Sequence, residues 1–140
     1  MSLGQRPENA QQVFESRVPM RWGDMDAMGH INNTVYFRFI EQVRCDWLES
    51  MGYGVSLQTD TSPVLMNTAC TFLLPMHAPG TAVITLFVCP PGRSSLDTFY
   101  EIREENDDRL FAIASAKLVW IDLATEKSTP IPQSLLDVLP

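Results

Sequence analysis

The sequence has little of what a disulfide framework, a membrane span or a polyanion-binding surface requires. Its three cysteines, Cys45, Cys70 and Cys89, lie far apart with no C-x-x-C spacing. In their apolar contexts they read as reduced core residues rather than bridges or metal ligands. No apolar run approaches the roughly 20 residues of a membrane-spanning helix, and residues 1–12 are too polar for a secretory leader, so the cytoplasm is the expected compartment. Positive charge is scarce: 10 Lys and Arg against 17 Asp and Glu leave a net charge of −7. No basic cluster is dense enough to track a phosphate backbone, so nucleic acid is not an expected partner. An anionic ligand would have to be met by a few local Arg side chains or backbone N–H groups against an unfavourable overall field. Histidine is limited to His30 and His77. With Asp24 and Asp26 they form an incomplete ligand set, so no metal is expected.

What is present is the ordinary material of a globular protein, with 45% apolar and 19% charged residues over 140 positions. That length suits one domain, 1–140, able to bury a core without staples, with residues 1–10 expected as a flexible tail. Val13 to Met20 alternates loosely as a first strand, and a loop from Gly23 to Ile31 follows. From Asn33 to Met51 the apolar residues Val35, Tyr36, Phe39, Ile40, Val43, Trp47, Leu48 and Met51 recur at spacings of three and four, which predicts one long helix. Asn32 or Asn33 supplies its N-cap, Gly52 its left-handed end, and Arg38, Glu41, Arg44, Asp46 and Glu49 the charged remainder of its surface.

Four β-favouring runs follow: Val64–Leu74, Ala82–Cys89, Leu96–Glu104 and Leu110–Asp122. The links between them are short, which favours antiparallel neighbours. In the last run Ala112, Ala114, Ala116, Leu118 and Trp120 share one face and Phe111, Ile113, Val119 and Ile121 the other, so that strand is expected to be buried on both sides. The expected architecture is α+β, one long helix wrapped by a curved antiparallel sheet of about five strands, closed by a packing turn at Gln133–Leu139.

The segment Gly23-Asp24-Met25-Asp26-Ala27-Met28-Gly29-His30-Ile31-Asn32-Asn33 carries the chemistry. With Val35-Tyr36-Phe37 and Glu41-x-x-Arg44 on the helix, and more weakly Arg93-Ser94-Ser95 and Lys117-x-Val119-x-Ile121-Asp122, it resembles the 4-hydroxybenzoyl-CoA thioesterase family of hotdog-fold acyl-CoA thioesterases. The resemblance covers nearly the whole chain. It implies a hydrolase that splits an acyl-CoA into free acid and coenzyme A, with no cofactor beyond the coenzyme A of the substrate. It also implies a homodimer or homotetramer with sites at the subunit interface. By position Asp26 matches the catalytic carboxylate, Asn33 the helix-start residue whose N–H meets the thioester oxygen, and Arg93 a basic position near the nucleotide end. Gly92 and Ser94 stand where relatives can carry further basic residues.

These residue types suit the reaction. A thiol has a pKa of roughly 8.5, so a thiolate leaves near neutral pH without a general acid. One carboxylate facing the unpaired N–H groups of a helix start is then chemically sufficient. Asp26 can attack the carbonyl or deprotonate water, and the sequence leaves both routes open. His30 can relay a proton, lie near the thioester or simply orient the loop. Glu41 can contact substrate or pair with Arg44. Ser94 and Ser95 can contact the thioester or be plain loop residues, and His77 reads as turn surface. The alternative functions are a non-catalytic acyl-CoA-binding or sensing hotdog protein and, more remotely, hydratase chemistry on an enoyl-CoA.

Overall fold

The computed structural model describes residues 2–53 and 60–140. Its elements run β1 (Gln11–Met20), a 3-10 turn (Trp22–Asp24), α1 (Asn33–Ser50), β2 (Thr61–Phe72), β3 (Gly80–Val88), β4 (Ser95–Glu104), β5 (Ala112–Asp122) and α2 (Gln133–Leu136). The five strands form one sheet in the order β1-β3-β4-β5-β2, every pair antiparallel. The helix lies against one face of this sheet, in contact with β1, β3 and β2. This is the expected α+β hotdog architecture.

The helix begins where its capping chemistry places it. Asn32 is extended and its side-chain oxygen accepts the N–H of Thr34, so Asn32 is the cap and Asn33 the first helical residue. At the other end Gly52 adopts φ +86° and the N–H groups of Gly52 and Tyr53 return to Glu49 and Leu48. A side chain at Gly52 would strain that left-handed turn. Tyr36, Phe39, Ile40, Val43, Trp47 and Leu48 are buried on the sheet side. They meet Ile84, Leu86, Leu96, Tyr100, Ile102 and Trp120. Each fully buried large aliphatic side chain contributes roughly 1.5–3 kcal/mol.

Four expectations change. The short link from β2 to β3 does not join neighbours: β2 pairs with β5 and β3 with β1, so the chain crosses from one edge of the sheet to the other half there. Arg44, assigned to the charged surface, is only 7% exposed; it follows Ile40 by four residues and so falls inside the buried arc. Cys45 is exposed rather than part of the core, because it lies about 200° round the helix from Val43. Residues 1–10 are not a loose tail from Leu3 onward, while Met1 lies outside the described residues. Arg6 pairs with Glu101 at 2.8 Å and stacks over Phe87, the Thr71 hydroxyl donates to the Leu3 carbonyl, and Ala10 is buried. Gly4, at φ +86°, runs so close to the β5 backbone that a Cβ there would lie 2.8 Å from Ala114 Cα. This segment covers the outer face of β5 beside Ile113, which explains how that strand becomes buried on both sides.

The two edges of the sheet differ in kind. β2 bonds to β5 alone, and five consecutive residues, Val64 to Thr68, are exposed along it. Val64, Leu65, Met66 and Phe72 are large apolar side chains left open there. Edges are normally blunted with charge or covered; β2 carries no charged residue.

Candidate active site

The loop between β1 and α1 separates two aspartates that look equivalent in sequence. Asp24 is buried, and its carboxylate accepts the Arg21 N–H at 2.9 Å and the Arg21 guanidinium at 3.2 and 3.4 Å. Its carbonyl accepts the N–H of Asn32 at 2.9 Å, which ties the turn to the helix cap. Asp24 is therefore committed to structure. Asp26 is exposed and its two oxygens differ. Oδ1 accepts the N–H of Met28 at 2.9 Å and of His30 at 3.4 Å, while Oδ2 accepts nothing among the described residues. The Asp26 backbone completes the turn, donating to His30 O and accepting from Gly29, whose φ of +77° closes it. One oxygen is pinned and the other is available.

Asp26 borders a cleft of about 340 Å³ that is lined also by His30, Ile31, Asn33, Tyr36 and the chain from Phe72 to Pro75. The helix start contributes one well-defined donor. Thr34 N–H is taken by the Asn32 side chain and Val35 N–H by the Asn32 carbonyl at 2.9 Å. The N–H of Asn33 has no acceptor among the described residues. Three residues singled out by the sequence, Asp26, His30 and Asn33, thus share one cleft.

His77, read as turn surface, also belongs to this region. Its Nδ1 lies 2.9 Å from the Gly29 carbonyl and donates to it, and its ring meets that of His30 edge-on with centroids 4.9 Å apart. Ile31 N–H bonds to the Met76 carbonyl at 2.8 Å, so the segment before β3 braces the Asp26 loop at two points. A separation of 48 residues between His77 and Gly29 leaves no local signal for this contact. Tyr36 was likewise seen only as an apolar helix position. Its ring packs edge-on against Phe72 at 4.9 Å. Burial, with a smaller push from the Cys70 thiol, raises its phenol to about 12, while a hydrogen bond from the Met76 backbone pulls the other way. The phenol stays protonated at neutral pH.

The other expected residues lie elsewhere. Ser95 aligns with Val119, and Val119 with Val64, whereas the cleft is bounded by Phe72 at the far end of β2. Eight residues of extended chain correspond to about 27 Å, so Arg93, Ser94 and Ser95 do not meet Asp26 within one chain. Their loop is held by backbone bonds from Ile131 to Arg93 O, Trp120 to Ser94 O and Gly92 to Ser95 O. The Arg93 side chain is exposed and forms no ion pair among the described residues. Glu41 does not pair with Arg44: it meets Arg38 at 3.2 Å, because Arg44 is turned into the core. Among the described residues no group of three or more His, Cys, Asp or Glu side chains is placed to hold a metal ion, and no helix is long and apolar enough to cross a membrane.

Residues 20–139 match the family model of the thioesterase-like superfamily. A protein of Aquifex aeolicus (strain VF5), described provisionally as an esterase, is 26% identical over 129 residues, 91% of this chain and 96% of the relative. Among solved structures, the PA2801 protein from Pseudomonas aeruginosa, described provisionally as a thioesterase, is similar with a TM-score of 0.88 and 34% identity over 93% of this chain and 100% of its own. The 1,4-dihydroxy-2-naphthoyl-CoA thioesterase from Synechocystis shares the fold, with a TM-score of 0.80 and 23% identity over 88% of this chain and 92% of its own. A family match over nearly the whole chain, on a curved antiparallel sheet around one long helix, makes this protein a member of the thioesterase-like superfamily of hotdog proteins.

Proposed function

We propose that the protein hydrolyses acyl-CoA thioesters, as expected of the 4-hydroxybenzoyl-CoA thioesterase branch, with Asp26 as nucleophile or general base. The observation that carries this reading is that one cleft is lined by both Asp26, whose Oδ2 accepts no bond among the described residues, and Asn33, whose N–H makes none. A thioester carbonyl seated there would receive the Asn33 N–H on its oxygen, and the charge developing on that oxygen would be stabilised by the helix dipole. Asp26 would act from the other side, either by adding its carboxylate to the carbonyl carbon or by taking a proton from an attacking water. Coenzyme A would depart as thiolate in both routes. His30 lies at the wall of the cleft, where it can orient water or the loop.

The working form in this reading is a homodimer joined along β2. The strand's exposed apolar side chains and lack of charge favour pairing with a second copy. Antiparallel pairing about the middle of β2 sets the Val64 end of one copy beside the Phe72 end of the other. The Arg93–Ser95 loop of a second copy would thereby approach the Asp26 cleft and offer Arg93 to the phosphates of coenzyme A. Hydrolysis of an acyl-CoA panel, followed by release of free thiol, tests the activity. Turnover of at least one thioester that Asp26→Ala abolishes supports the reading. Full activity of that variant sinks the role of Asp26, and tight acyl-CoA binding without turnover points to a binding protein.

A further inference from the structure

Arg44 is the one buried cation among the described residues, and the hydrogen bonds around it do not satisfy it. Its Nη1 donates to the Tyr100 hydroxyl at 3.2 Å. The Thr98 hydroxyl donates to the Ala116 carbonyl at 2.7 Å, so the 2.9 Å contact between Tyr100 and Thr98 is a donation from the phenol. Every proton in this chain points away from Arg44. A guanidinium carries five N–H groups, yet no carboxylate lies within ion-pair distance of it among the described residues, and the nearest acid on its own helix, Glu41, is held by Arg38. No fully enclosed side-chain nitrogen lacks a partner among the described residues. The unbonded Arg44 nitrogens therefore open onto free space.

That space is a second cavity of about 300 Å³ between α1 and β2. Phe37, Ile40 and Leu65 give it apolar walls, Thr34 and Thr68 add hydroxyls, Arg38 and Glu41 line it as a mutually paired couple at 3.2 Å, and Arg44 lines it with a charge that no carboxylate among the described residues offsets. It begins at Thr34, the residue after the Asn33 that borders the Asp26 cleft. A buried guanidinium cannot shed its proton and is unfavourable without an anionic partner. Apolar walls leading to a forked cation match a hydrocarbon chain ending in a carboxylate, which Arg binds through two parallel hydrogen bonds.

We propose that this cavity receives the far end of the acyl group and that Arg44 selects acyl-CoA substrates whose chain ends in a carboxylate. The inference rests on the thioesterase reading and adds a substrate class to it. The test compares kcat/KM for octanoyl-CoA and suberoyl-CoA, which are equal in carbon number and differ at the far end. The expected ratio favours suberoyl-CoA by at least about tenfold. Arg44→Met brings the ratio to about one or below, and Arg44→Lys, which keeps the charge but not the fork, falls between.

A wild-type ratio near or below one overturns the proposal, as does a ratio that Arg44→Met leaves unchanged. Dissociation of a dimer by Arg44→Met with the ratio intact also overturns it, since a second copy would then supply the counter-charge. If neither thioester is hydrolysed, the thioesterase reading fails instead. Calorimetric titration with free suberate and octanoate then judges the cavity separately: tighter binding of suberate that Arg44→Met removes supports the site, and equal binding refutes it. The wild-type comparisons need no variant, so a substitution that fails to fold does not remove the test.

Discussion

The two ends of β2 differ in what they offer a ligand. At the Phe72 end, the β1–α1 loop is stitched by backbone bonds to the helix cap and to Met76, and it presents a carboxylate oxygen and a helix N–H to a cleft. At the Val64 end, the Arg93–Ser95 loop is bonded to Trp120 and to Ile131 and carries an exposed cation that lines neither the Asp26 cleft nor the Arg44 cavity. In the proposed function one end carries out the reaction and the other binds an anion. In the proposed dimer, an antiparallel second copy paired along the uncharged β2 would bring the two ends together twice.

The most damaging change to this picture is at the reactive end. Asp26→Ala is expected to lower kcat by at least about a hundredfold, measured by thiol release, with only a small drop in Tm by calorimetry from the lost Met28 and His30 N–H contacts of an exposed turn. Charging the edge comes next. Val64→Lys with Met66→Lys should give a folded monomer by sedimentation and reduce kcat/KM at least about tenfold, because like charges would oppose each other across the paired strands. A fully active monomer would show that the Val64 end is not needed.

Asp24→Asn should act through stability instead. Loss of a buried, charge-assisted acceptor costs about 1–3 kcal/mol, a drop of several degrees in Tm, with kcat of the folded enzyme largely retained. At the binding end, Arg93→Ala should raise KM for an acyl-CoA a few-fold while leaving kcat unchanged, and should weaken the salt dependence of KM. The smallest effect is at alkaline pH. Burial raises the Cys70 thiol to about 11 and, with a smaller push from Cys70, the Tyr36 phenol to about 12. Both groups bind protons more tightly when folded than when unfolded. Their contribution is therefore complete below about pH 9 and is lost as pH rises from 9 towards 12. Thermal melts should shift down by a few degrees over that range, and Cys70→Ala should flatten the first part of the fall.

Much of the fold was legible because it depends on local periodicity and punctuation. The three-and-four spacing from Val35 to Met51, with Asn32 or Asn33 at one end and Gly52 at the other, specifies the helix, and the short links specify the antiparallel run β3-β4-β5. They do not specify the sheet order, because β2 pairs with β5 and β3 with β1 instead of with each other. The site was legible only where the chain itself carries it, in the run from Asp24 to Asn33. His77 escaped because a contact with Gly29 across 48 residues leaves no mark on either neighbourhood. Arg44 was misread because a charged side chain on a helix usually faces water, and only the packing of Ile40 and Tyr100 around it reveals otherwise.

The sequence by itself determined the helix, a cap at Asn32 or Asn33, the strands and the presence of two acids in a glycine-containing loop. It did not determine which acid is available. That was decided by tertiary structure, which buries Asp24 under Arg21 and pins one oxygen of Asp26 while leaving the other open. The physical reason is that hydrogen-bond commitment is set by which donors the folded chain brings within reach. Spacing along the chain fixes those neighbours only within a turn or two.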